Sequence, residues 1–156
     1  NGNLDAENSL CQRAYTMIVE RDLVFDSVET PKLREITSDL SREKFLVRRE
    51  NSYNFRHDLI RSYLASEYFS PRWQILLREK DEPQIDSNWL EMLKFTCGDL
   101  INSLEIRDLI FKVMTQSISK DLVKKLFEWL KDNHPDKCAE WETEFYARYG
   151  KLDFGG

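Results

Sequence analysis

The chain has 156 residues and a mass of 18.6 kDa, with 41% hydrophobic and 33% charged residues but only five glycines and four prolines. That composition excludes a disordered, collagen-like or turn-rich all-β chain and predicts a mainly helical fold with one core or two small ones. A net charge of -5 argues against general nucleic-acid binding through phosphate neutralisation.

In chain order, Leu10, Ala14, Met17 and Ile18 recur at helical spacing and predict an amphipathic helix ending near Asp22. Thr30-Pro31 reads as an N-cap followed by proline at the first helical position, leading into a short helix with Leu33, Ile36 and Leu40 on one face. Phe45 to Arg49 and Tyr53 to Phe55 lean towards strand on either side of the polar turn Glu50-Asn51-Ser52, and predict a small β-hairpin. The period then returns to that of a helix, with Leu59, Ile60, Tyr63, Leu64 and Tyr68 as its apolar stripe, stopping before Ser70-Pro71. Helix, helix, hairpin, helix is the order of a winged-helix-like unit, assigned to residues 1–70.

Residues 71–156 read as a helical domain, a layer of short antiparallel helices that resembles the start of a helical-repeat array. Trp73 to Leu77 form a short piece and Arg78 to Gln84 a polar loop. Asp86-Ser87 cap a helix carrying Trp89, Leu90 and Leu93, which Leu100, Ile101 and Leu104 extend beyond a break or kink at Gly98. Leu109, Ile110, Val113 and Met114 mark the next helix. Ser119 caps another, with Leu122, Val123, Leu126, Phe127 and Leu130, which ends before His134-Pro135. Trp141, Phe145 and Tyr149 mark the last. The four tryptophans, Trp73, Trp89, Trp129 and Trp141, read as core positions.

Catalytic and metal templates fail. His57 and His134 are the only histidines, which rules out a multi-histidine metal site. Gly150 and Gly155 have the spacing of a phosphate-binding loop, but Gly156 stands where that loop needs lysine. Cys11, Cys97 and Cys138 are odd in number and far apart, so they read as buried, reduced thiols. No apolar run reaches the roughly 18 to 20 residues that cross a bilayer, and the chain reads as cytoplasmic, with no membrane partner. Asn1 and Gly155-Gly156 read as the cut ends of a longer chain. No residue is assigned as catalytic or metal-binding.

Charge singles out one region. Arg42 to Arg72 holds seven basic residues against four acidic ones, inside an acidic chain. Within it, the run from Tyr53 to Phe69 resembles the strand-to-helix motif that closes the winged-helix part of NACHT and related STAND signal-transduction nucleoside triphosphatases. That motif reads Phe-x-His, then an apolar and acidic helix ending in Tyr-Leu-Ala-Ala. Phe55, His57, Leu59, Tyr63, Leu64 and Ala65 fall on it, whereas Ser62 replaces the acidic residue before the tyrosine and Ser66 replaces the second alanine. Lys44-Phe45-Leu46-Val47 is similar to the family's first wing strand. The resemblance covers Leu10 to Phe69 and extends over Trp89 to Leu104.

The resemblance implies that His57 contacts the β-phosphate of ADP and helps hold the closed arrangement of the parent protein, with Arg56 and Arg61 adding positive potential. It further implies that Arg48, Arg49, Arg56 and Arg61 meet acidic surfaces of a neighbouring NTPase domain on the same chain. ADP or ATP with Mg²⁺ would belong to that domain, this segment would not be an enzyme, and a protein partner would act on the helical part. The residues alone leave another role open for His57, as a donor to a backbone carbonyl at the strand-to-helix corner. Two other functions also stay open: a winged-helix DNA-binding regulator with Arg48 and Arg49 on phosphates, and a helical adaptor. The thin set of polar readers on the Thr30 to Leu40 helix weighs against DNA.

Overall fold

The structure, a computed structural model, describes residues 2–21, 25–26, 46–49, 52–55, 58–78, 84–117 and 120–149, of which 2–8, 25–26, 46–49, 52–55, 120 and 144–149 are described by their backbone alone. The described chain is mostly helical, and it divides into two compact units, Asn1–Arg72 and Trp73–Gly156.

In the first unit, helix α1 (Gly2–Glu20) ends where Arg21 enters the left-handed region, at φ 62°. That conformation breaks the helical hydrogen-bond ladder and is the usual way a helix stops, although glycine more often fills the position. Leu10, Cys11, Ala14, Tyr15, Met17 and Ile18 are buried along one face. Three strands follow, β1 (Phe25–Asp26), β2 (Leu46–Arg49) and β3 (Ser52–Phe55), in the order β1-β3-β2 with both pairings antiparallel. Leu46 faces Phe55 and Arg49 faces Ser52 in register, and Phe25 faces Tyr53. The short helix expected over Thr30 to Leu40, on which a winged-helix arrangement turns, lies outside the described residues.

Helix α2 (Asp58–Phe69) packs against α1 and runs into a 3-10 turn at Ser70–Arg72. Tyr15 of α1 meets the rings of Tyr68 and Phe69, with centroids 5.5 and 5.8 Å away. Arg72 closes the end of α2: its guanidinium lies 4.4 Å above the Tyr68 ring and Nη1 donates to the Tyr68 carbonyl at 3.0 Å.

The second unit opens with the single turn α3 (Trp73–Leu76), then a 3-10 turn at Ser87–Trp89 that leads directly into α4 (Leu90–Leu100). The Asp86 carboxylate accepts from the Asn88 N–H at 3.0 Å, which is the cap the sequence announces. Helices α5 (Glu105–Gln116), α6 (Lys120–Asn133) and α7 (Pro135–Tyr149) complete it. Gly98 does not break α4, which runs through it to Leu100. The break falls at residues 101–104, where Ser103 Oγ accepts from the Glu105 N–H at 3.1 Å and restarts the helix.

The core of this unit is built from Trp89, Met92, Leu93 and Cys97 of the first long helix and its lead-in, Leu109, Ile110 and Val113 of α5, and Leu122, Leu126 and Leu130 of α6. Helix α6 packs on both α4 and α7. Trp73, Trp89 and Trp141 are buried as expected of core positions, but Trp129 is only half-buried. Its ring instead meets His134 edge-on, with centroids 5.7 Å apart, at the end of α6, where the His134 N–H donates to the Leu130 carbonyl.

Candidate functional site

Of the residues singled out by the sequence, Arg61 is described with its side chain and Arg48 and Arg49 by their backbone. Arg48 and Arg49 are the last two residues of β2, paired in register with Tyr53 and Ser52. Arg56 and His57 fall between the end of β3 at Phe55 and the start of α2 at Asp58, outside the described residues. Arg61 is on α2 with its side chain only 15% exposed, and its Nη2 lies 3.6 Å from Asp58 Oδ1, one turn earlier. Its Nε is buried and has no hydrogen-bond partner among the described residues. Asp58 is itself almost fully in water, so this pair fixes the guanidinium more than it stabilises the helix.

Helix α2 has a buried face and, beside and behind it, a stripe of larger apolar residues. The buried face against α1 consists of Ser62, Ala65, Ser66 and Phe69, spaced three, one and three residues apart. Small residues there let two helix backbones approach closely, and the Ser66 hydroxyl is satisfied by the Tyr63 carbonyl at 2.6 Å. The apolar stripe that the sequence suggests as the buried face is turned away from this contact, with Ile60 and Leu64 on the far side of the helix and Leu59 and Tyr63 flanking the α1 face. Leu59 is 56% and Tyr63 48% exposed, one turn apart, with Ile60, Leu64 and Tyr68 half-buried beside them. The two serines that depart from the family motif are therefore interior residues. A glutamate at position 62 would place a carboxylate in an apolar helix contact.

The second unit carries a pocket of about 160 Å³ between the 101–104 turn and α7. Ile106 and Trp141 are its buried apolar wall, Leu104 projects at its rim, and Arg107, Lys137 and Glu140 supply charge. None of these residues stands out as a site in the sequence. Leu104 reads there as one more apolar helix position, yet it is 88% exposed. The signal that identifies the corner is local: Ser103 followed two residues later by Glu105 marks a helix start, which forces Leu104 off the preceding helical face.

Chemistry is restrained elsewhere. All three cysteines are free and buried. Burial pushes the Cys97 thiol up to about 12, and burial followed by the Glu142 charge raises Cys138 against the pull of Lys131, so neither is a ready nucleophile. Among the described residues no group of three or more His, Cys, Asp or Glu side chains is placed to hold a metal ion. No helix among them is long and apolar enough to cross a membrane. Comparison with known protein families, with curated proteins and with solved structures finds no match to this chain.

Proposed function

We propose that the chain is a non-catalytic regulatory segment of a STAND/NACHT-type nucleoside triphosphatase. Its first unit is a winged-helix-like module with its hairpin at β2 and β3. That module helps hold the closed, ADP-bound arrangement of an ATPase domain on the same parent chain. The second, helical unit couples sensing of a ligand or partner to release of that arrangement, a change that rests on contacts differing between the two states.

The observation that carries this reading is the second apolar stripe of α2. Leu59 and Tyr63 are about half exposed and flank the face that is filled by α1. Large apolar side chains left half exposed beside a filled helix face are suited to a second packing partner, and in this reading the neighbouring domain supplies it. His57, immediately before α2 in sequence, is then next to the same neighbour. The pocket described in the second unit, at about 160 Å³, takes a benzene-sized group and not a nucleotide. In this reading the nucleotide and its Mg²⁺ belong to the ATPase domain, and the imidazole N–H of His57 is this segment's donor to a phosphate oxygen.

The test uses the longest natural chain that contains these residues. His57→Ala lowers the ADP retained through purification and raises basal activity, and Tyr63→Ser raises basal activity by loosening the docked face. Equal retention and activity in the parent and both variants would sink the proposal.

A further inference from the structure

The chain passes from the first unit to the second with no loop between them: the 3-10 turn Ser70–Arg72 follows α2 and leads straight into α3 at Trp73. Such a run of turns is stiff where its hydrogen-bond ladder is complete, and at Tyr68 it is interrupted. In an α-helix the Tyr68 carbonyl is the partner of the N–H of residue 72, but that residue lies in the tighter turn, where N–H groups reach back three residues instead of four. Three residues beyond Tyr68 stands Pro71, which has no N–H to give. The change of register thus leaves the Tyr68 carbonyl without a backbone donor, as happens at a helix end.

A side chain takes the vacant place. Arg72 Nη1 donates to the Tyr68 carbonyl at 3.0 Å, and the same guanidinium lies 4.4 Å above the Tyr68 ring. That ring is in turn 5.5 Å from Tyr15 of α1. One residue therefore grips both the backbone and the ring of Tyr68 and ties the turn to the contact between α1 and α2. Beyond it, α3 is a single turn closed by the Leu77 N–H on the Trp73 carbonyl at 3.0 Å, and one turn has little cooperative stiffness of its own.

We infer that residues 70–72 are a hinge between the two units and that Arg72 is the clasp that stiffens it. With the guanidinium seated, α2 continues into α3 as one stiff piece. With it released, the Tyr68 carbonyl turns to water and the backbone from Ser70 to Arg72 is free to swivel. The inference goes beyond the regulatory reading and stands without it, because it uses neither His57 nor the Leu59 and Tyr63 stripe.

The test is backbone ¹⁵N relaxation and amide hydrogen exchange on the whole chain. In the parent, the amides of residues 72–77 are expected to be as rigid as those of α2, and both units to tumble with one correlation time. Arg72→Gln keeps a long polar side chain without the cation, and Arg72→Lys keeps the charge without the planar group that stacks. Each should speed exchange at residues 72–77 about tenfold or more, the loss of one charge-assisted hydrogen bond, and split the correlation times of the two units. Pro71→Ala returns the missing N–H, so the double variant Pro71→Ala/Arg72→Gln should recover the parent's values. Unchanged amide shifts in α4 and α6 verify that the fold is kept. Independent tumbling in the parent, parent-like exchange in both Arg72 variants, or no recovery on adding Pro71→Ala would each overturn the proposal.

Discussion

Tyr15 stacks on Phe69 with ring centroids 5.8 Å apart and planes inclined by 21°, joining α1 to the last residue of α2. Phe69 is fully buried, and Tyr15 nearly so. Truncating Phe69 to alanine removes the ring and leaves a cavity in the only long helix pair described in the first unit, at a cost of about 3 to 5 kcal/mol. A urea unfolding series on Phe69→Ala should show that loss, whereas Leu59→Ala, on the exposed face of the same helix, should stay within about 0.5 kcal/mol of the parent.

Ser62 provides the second prediction. It is buried on the α1 side of α2, where the resembled family commonly has an acid. Ser62→Glu puts an unpaired carboxylate into that contact and should destabilise the first unit by about 2 kcal/mol or more at neutral pH. Because burial raises the pKa of such a carboxyl and protonation relieves the penalty, the deficit should shrink as pH falls from neutrality towards the ordinary carboxylate range and level off below it. A pH-independent deficit would show that bulk, not charge, is what the site rejects.

Gly98 sits in the last turns of α4 with nothing within 4 Å of where a Cβ would stand. Gly98→Ala therefore adds no clash and reduces the freedom of the unfolded chain, and it should raise the unfolding free energy by about 0.4 to 1 kcal/mol. A shift of the urea midpoint upward with an unchanged slope is the expected result.

Alkaline pH should weaken both units. Burial, assisted by Tyr68, raises the Tyr15 phenol well above its ordinary value of 10.0, and burial pushes the Cys97 thiol from 9.0 up to about 12. In each case the folded state holds the proton more tightly than the unfolded one. The stability this supplies is complete below the unfolded pKa and is lost as pH rises through the folded value. Unfolding free energy should fall from about pH 9 upwards, and Tyr15→Phe and Cys97→Ala should each remove part of that slope. Parallel curves for parent and variants would contradict the assignment.

Much of the helical plan is legible in the sequence because large apolar residues mark it. Leu10, Ala14, Met17 and Ile18 are buried at the spacing that announced them, and so are Leu122, Leu126 and Leu130. The face of α2 escapes the same reading because three of its four buried residues are two serines and an alanine: close approach of helices selects for small size, which a hydropathy pattern does not register. The stripe of larger residues beside and behind it is visible in the sequence, but its direction is not. At Gly98 the opposite error arises, since glycine reads as a breaker while the actual break is set by the Ser103 cap. The corner pocket depends on residues 30 positions apart meeting in space, which no local pattern contains. Among the residues first linked to function, Arg61 has its surroundings described, and His57 lies outside the described residues.

The segment before α4 is latched to the far end of α5. Ile85 is fully buried and forms a parallel bridge with Ser117, whose Oγ reaches the Ile85 carbonyl at 3.4 Å, and Gln116 Nε2 donates to the Leu77 carbonyl at 3.2 Å. These links join residues 32 and 39 positions apart, so they form only after the intervening helices have come together. The practical boundary of the helical unit is thus set by Trp73 and not by the first long helix. A fragment begun at Leu90 would empty the Ile85 site, strip two tethers from the end of α5, and expose that end to proteases.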